Sequence, residues 1–234
     1  MNFSIIAENM GIYFEGLNNT IQLVSISVIL GLVMAVPLSV LRCSKNYFFS
    51  TPVRTYIYFF RGTPLLVQMF LIYYGLGQFD LIKSTFLWTY LKEAYFCALL
   101  AFTLNTAAYT TEILRGGIEG TPYGEIEAAK SVGMSRIKMM RRIILPSAFR
   151  RALPAYSNEV IFMLHGSSLA SVITIIDITG AARIVNSRYY TPYEAFLTAA
   201  AFYLTLTFII VFLFKKLEYH WYAHLRRDEQ AGGT

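Results

Sequence analysis

Apolar residues run along this chain in five long segments, at about 18–41, 53–75, 95–115, 153–176 and 193–216, with shorter polar connections between them. Each segment is long enough to cross a hydrocarbon core, which takes roughly 20 helical residues. None shows the ~10-residue alternation of a transmembrane strand. The pattern predicts an all-α integral membrane protein with five transmembrane helices. Residues 1–16 precede the first span. There Phe3, Ile5, Ile6, Tyr13 and Phe14 accompany Glu8 and Glu15, as in an amphipathic segment at the membrane surface. Residues 218–234 follow the last span and read as a flexible tail ending in Gly232-Gly233.

Composition narrows the class. The chain has 234 residues, of which 56% are hydrophobic and only 15% charged, which excludes a disordered chain and argues against a water-soluble domain. The formal net charge is +6, but its placement explains it without nucleic acid. Arg42 and Lys45 lie between the first two segments, and Arg54 at the start of the second. Lys130, Arg136, Lys138, Arg141, Arg142, Arg150 and Arg151 lie between the third and fourth, and Lys215 and Lys216 end the fifth, with Arg226 and Arg227 after it. The remaining connections carry only Lys83, Lys92, Arg183 and Arg188. The positive-inside rule then puts the N-terminus in the periplasm and the C-terminus in the cytoplasm, as five spans require. Without a basic stretch at the N-terminus, the first span is expected to serve as an uncleaved insertion signal. Cys43 and Cys97 suggest neither a disulfide nor a metal site, and no His-Glu-x-x-His spacing occurs.

The basic connection at 116–152 carries the most local structure. Thr121 and Pro122 read as N-cap and first residue of a short helix with Ile126, Ala129 and Val132 on one side. Gly133 stops it, because glycine readily takes the left-handed conformation of a helix end. Ser135 caps a second helix carrying Ile137, Met140, Ile143 and Ile144, and Pro146 is expected to interrupt or end it. Periodicity alone favours an ordinary basic cytoplasmic loop. The residue types say more: Glu127-Ala128-Ala129, then Gly133, then Ile144-Leu145-Pro146 resembles the EAA loop of permeases in binding-protein-dependent ABC importers. That resemblance implies a short helix that docks into a groove of a cytoplasmic ATPase and passes on its motion, with Glu127, Ala128, Ala129, Gly133 and Pro146 as the coupling residues.

Polar residues inside the spans are the candidate chemistry. Arg61-Gly62-Thr63-Pro64 interrupts the second segment, with Thr63 as N-cap and Pro64 as first helical residue. Two readings stay open here: a broken helix lining a cavity, and a cytoplasmic elbow before an ordinary span. Gln68, one turn on, must face protein or water. In the third span Asn105, Tyr109 and Glu112 share one face, and Glu112 can pair with Arg115. Asn105 and Thr106 serve either helix packing or a polar conduit. In the fourth span Ser157-Asn158-Glu159 stands in an apolar stretch with no basic residue within a helical turn. A carboxylate there costs a few kcal/mol (about 2.5–3.5) even on the lenient insertion scale, so it must be paired, protonated or facing water. His165-Gly166-Ser167-Ser168 further along can break the helix, with His165 read as a packing residue.

Nearly the whole chain, from about 17 to 217, resembles permeases of polar amino acid ABC importers, and the 152–160 stretch resembles their histidine/lysine/arginine/ornithine branch. The resemblance implies a type I ABC permease fold over 17–217. It also implies a second permease subunit, two ATPase subunits that bind ATP and Mg, and a periplasmic substrate-binding protein. The chain itself is then a transport subunit, not an enzyme; no Gly-rich loop ending in Gly-Lys-Ser/Thr occurs in it. The expected function is uptake of basic or polar amino acids through a site of Glu159, Asn158, Ser157, Asn105, Thr106, Thr63 and Gln68. The rivals are an ion or proton channel gated by Glu159 and His165, and a structural half whose partner holds the substrate.

Overall fold

A computed structural model describes residues 4–221, and every regular element among them is helical. Phe3 and the tail with Arg226, Arg227 and Gly232-Gly233 lie outside the described residues. One turn of helix, Ser4–Glu8, leads into α1, Met10–Arg42. Helix α2 is Tyr47–Gly62, capped by Asn46, whose Oδ1 accepts from the Phe48 N–H at 2.9 Å. Helix α3 is Leu65–Phe70, and α4 is Ala94–Glu119. Then come α5, Tyr123–Ser131, and α6, Arg136–Met139, which passes through a wide π turn at Met140–Ile144 into α7, Leu145–Gly166. Helices α8, Ile178–Tyr189, and α9, Pro192–Trp221, complete the fold.

Small residues face inward along α1. Gly16, Thr20, Ser27, Gly31, Ala35 and Ser39 are buried, while Ile29, Leu30 and Val33 are exposed. Water would not tolerate this arrangement, but lipid tails are as apolar as leucine, so helices there associate through close packing of small side chains. By length and composition α1 and α9 can each cross a membrane. The helical run 136–173 together with α8 forms a third candidate, bent by 47°. Helix α4 has 26 residues, but Asn105 and its threonines dilute its apolar character.

α1 lies along α4, and α7 packs on α4 and α9. The central core holds Leu23, Met69, Phe102, Met163, Leu164 and Ile173. A separate cluster of Ile118, Ala129, Met139, Ile144 and Ala148 roots the basic connection on the ends of α4 and α7. The same junction is drawn tight at Gly117, where a Cβ would stand 2.6 Å from the Ala148 carbonyl oxygen. Arg151 clamps it: its Nε and Nη2 donate to the Gly117 carbonyl at 3.1 and 2.9 Å, satisfying a helix-terminal acceptor. Gly117→Val should therefore overpack this contact and cost about 1–3 kcal/mol. A lower melting temperature of the purified complex is the expected reading, and an unchanged one would contradict the contact.

Several local expectations need correction. Thr121 does not cap α5; its hydroxyl accepts from Arg151 Nη2 at 2.8 Å, and Pro122 occupies the cap position without a side-chain bond. Thr63 and Pro64 shift likewise: Thr63 ends α2 in an extended conformation and Pro64 precedes α3. Val132 is 70% exposed, because α5 ends at Ser131 and carries Val132 off the face of Ile126 and Ala129. Pro146 neither interrupts nor ends its helix. Proline lacks an N–H and crowds the carbonyl four residues back, and the wide turn at Met140–Ile144 absorbs both defects before α7 begins. The connection at 177–192 is largely helix α8, whose Asp177 cap accepts from the Gly180 N–H at 2.7 Å. Ser135 does cap α6, accepting from the Lys138 N–H, and Gly133 does end α5, at φ +72°.

Candidate functional site

Glu159 lies on the buried side of α7, 7% exposed, facing α4. Thr106 of α4 donates its hydroxyl to Glu159 Oε1 at 2.9 Å. Gly31 of α1 lies directly behind Thr106, and a Cβ there would collide with the Thr106 methyl. The threonine is therefore held between α1 and the carboxylate. Among the described residues, no ion pair to Glu159 is formed. One neutral donor leaves most of its acceptor capacity free for a cation.

Beside the carboxylate is a cavity of about 490 Å³, bounded by Leu65, Asn105, Tyr109, Asn158, Glu159 and Phe162, among others. Asn158 and Phe162 are exposed, so the cavity opens on the flank of the chain. An apolar wall with a few converging polar groups is the usual character of a small-molecule site. The volume suits an amino acid.

The other sequence candidates divide into two groups. Asn105 and Asn158 join Glu159 at the cavity; Ser157, Thr63 and Gln68 are not among its lining residues. Gln68 instead holds the break between α2 and α3 together. Its Nε2 lies within donating distance of the Phe60 carbonyl at 2.8 Å, the Thr63 carbonyl at 2.9 Å and the Thr63 hydroxyl at 2.8 Å. These carbonyls are orphaned where α2 stops, and a buried polar group without a partner is costly. Asn105 ties the break to α4 by donating to Gln68 Oε1 at 3.0 Å and to the Phe60 carbonyl at 3.2 Å. His165 is exposed, away from the cavity, with Nε2 3.3 Å from the Thr207 hydroxyl of α9. The helix does not break there but tightens into a 3-10 segment at Ser167–Ile173.

Of the coupling candidates, Glu127 and Ala128 face outward, whereas Ala129 is 2% exposed and packs into the root of the connection. Gly133 closes α5 with two returning bonds. Its own N–H reaches the Lys130 carbonyl at 2.9 Å, and the Met134 N–H reaches the Ala129 carbonyl at 3.1 Å. That is the pattern of a glycine-terminated helix end. Tyr123 is 79% exposed beside the outward face, and the sequence reading did not single it out. Pro146 is exposed as well, at the start of α7.

Sequence reasoning also missed a charged cluster near the break. Glu112 of α4 meets Arg115 at 2.9 Å as expected, but also Arg42 of α1 at 3.3 Å and Arg61 of α2 at 4.0 Å. The Arg61 guanidinium lies over the Tyr109 ring, 5.1 Å from its centre. Spacing along one helix reveals only the Glu112–Arg115 pair; the rest requires three helix ends to converge.

Comparison with known proteins places this architecture. Residues 27–220 match the family described as binding-protein-dependent transport system inner membrane component. The chain is 51% identical over 205 residues to the octopine transport system permease protein OccM of Rhizobium radiobacter, covering 88% of this chain and 84% of that one. It is 45% identical over 235 residues to the nopaline transport system permease protein NocM of Agrobacterium fabrum, covering 100% and 97%. It is also 45% identical over 217 residues to the histidine/lysine/arginine/ornithine transport system permease protein HisM of Escherichia coli, covering 92% and 91%. A solved amino acid ABC transporter with histidines superposes with a TM-score of 0.83 at 33% identity, covering 94% and 99%. The MetNI methionine ABC transporter shares the fold at 17% identity with a TM-score of 0.77.

Proposed function

Because the chain belongs to the inner membrane component family of binding-protein-dependent transport systems, we propose that it imports amino acids with a cationic group by ATP-driven alternating access. It is an inner-membrane permease subunit with the type I ABC importer fold. Five spans, with the N-terminus periplasmic and the C-terminus cytoplasmic, suit the charge placement. In this reading residues 17–217 form the transport domain and 116–152 its cytoplasmic coupling segment.

The observation that carries the reading is the buried Glu159 carboxylate, bonded among the described residues by Thr106 alone and facing an open cavity that fits an amino acid. A carboxylate in a low-dielectric site that forms no ion pair among the described residues favours a transient cation. The arginine, lysine, ornithine and histidine class offers such a cation on the side chain as well as at the α-ammonium group. Asn105 and Asn158 add neutral hydrogen bonds at the same cavity. Ser157, Thr63 and Gln68 act around it rather than at it.

The cavity is open on one flank, which calls for a second permease subunit to close it. A periplasmic binding protein delivers the amino acid from outside. Two ATPase subunits, which hold ATP and Mg, engage α5 through its exposed Glu127 and Ala128. Closure of the ATPase pair moves α5, and α6 and α7 run on from it to Glu159. Motion at the coupling end thus has a continuous path to the site.

The test is uptake of labelled L-arginine by vesicles holding the complete complex and its binding protein. Accumulation that requires ATP is expected. Ionic current without ATP, and no ATPase retained on purification, would instead favour a channel.

A further inference from the structure

Next along α4 from the Glu159 cavity lies a second cavity of about 380 Å³, and Tyr109 lines both. Asn105, Tyr109 and Glu112 follow one another on one helical face at intervals of four and three residues. Asn105 belongs to the first cavity and Glu112 to the second, so the tyrosine stands at their junction. The second cavity has the opposite charge. Arg42, Arg54 and Arg61 line it, with Glu112 as its only carboxylate among the described residues.

That carboxylate is already engaged. Arg115 holds it at 2.9 Å and Arg42 approaches to 3.3 Å, whereas Arg61 comes no closer than 4.0 Å, beyond hydrogen-bond range. The Arg61 guanidinium carbon stands over the Tyr109 ring, 5.1 Å from its centre, and among the described residues the Arg61 N–H groups make no hydrogen bond. The Arg54 side chain has no ion-pair or hydrogen-bond partner among the described residues. A planar fork with free donors matches a carboxylate, to which guanidinium groups bind in pairs of parallel bonds.

We propose that Arg61, supported by Arg54, binds the α-carboxylate of the transported amino acid. The substrate then lies along α4 across Tyr109, with its cationic end at Glu159 and its carboxylate end among the arginines. This rests on the reading of Glu159 as the cation site and adds the second pole. The pair of cavities recognises a dipolar molecule, and a cation lacking a carboxylate fills only half of it. Tyr109 positions Arg61 by holding its guanidinium over the ring.

A structural role for Arg61, as a mere tie between α2 and Glu112, predicts no dependence on the ligand's carboxylate. The test measures calorimetric binding of L-arginine and L-argininamide to the intact membrane complex in lipid nanodiscs, without the binding protein. The amide keeps the guanidinium and lacks the charged carboxylate. The wild type should bind the amide about 10-fold or more weakly, the range for losing a charged hydrogen-bonding pair. Arg61→Gln should weaken L-arginine by a similar factor and erase the preference, and Arg61→Lys should restore part of it.

Full preference for L-arginine in Arg61→Gln would overturn the proposal, as would the absence of saturable L-arginine binding to the wild type. Glu159→Gln separates the two poles, because it should weaken both ligands alike. If it binds both as the wild type does, the Glu159 reading and the proposed orientation fail together, whatever Arg61 does.

Discussion

Glu159→Gln should abolish uptake of L-arginine while the complex still assembles with its ATPase. The substitution keeps the shape of the side chain and an oxygen for the Thr106 hydroxyl, so the contact between α4 and α7 survives. It removes only the negative charge. Truncating one partner of a desolvated charge pair costs about 2–5 kcal/mol, so transport should fall by roughly 30-fold or more. Binding-protein docking and ATP hydrolysis by the assembled complex provide the control for folding. Full uptake by this variant would sink the proposed cation site and favour a structural half whose partner holds the substrate. Glu159→Asp retains the charge but withdraws it by one methylene, so an intermediate loss is expected.

Gly133→Val should uncouple the ATPase without touching the cavity. Gly133 has φ +72°, the left-handed region, where a β-branched residue pays roughly 1–3 kcal/mol of strain. Nothing stands within 4 Å of a Cβ there, so the effect is conformational rather than steric crowding. Valine would open the turn after α5, disturb the returning bonds to Ala129 and Lys130, and turn the outward face of Glu127 and Ala128 away from its partner. The expected result is loss of copurifying ATPase, or ATP hydrolysis without uptake. Asparagine tolerates the left-handed region, so Gly133→Asn should retain much of the transport. Normal ATP-driven uptake by the valine variant would refute the docking role of this helix.

Together these variants separate site from drive. One removes a charge and leaves the helices in place. The other changes a backbone turn and leaves the charge in place. Each therefore has a readout that the other does not move.

Much of the fold was legible because its signals are local. A lipid-facing helix needs a long apolar run, which can be read from composition alone. Gly133 and Ser135 were legible as well, since a helix end depends on the residue at that end. The failures were also local in form but distant in cause. Pro146 reads as a helix end, yet the π turn at Met140–Ile144 carries the chain through. Thr121 reads as a cap, yet Arg151, thirty residues on, takes its hydroxyl. The 177–192 stretch reads as a connection because α8 is short and mixed in polarity, and its packing face of Ile178, Ala181, Ala182 and Val185 stabilises it together with the Asp177 cap.

The sequence by itself determined that Glu159 is exceptional, because a carboxylate in an apolar run is costly wherever the helix goes. It also determined the helical membrane class and the helix ends at Gly133 and Ser135 in the basic connection. Only the tertiary structure decided what surrounds the carboxylate. It brought Thr106 and Asn105 to the site, engaged Gln68 and Thr63 in the broken helix, and gathered Arg42, Arg54 and Arg61 beyond Tyr109. Those groupings join residues dozens of positions apart on different helices. No periodicity along one helix encodes them; they follow from how closely small residues let the helices approach.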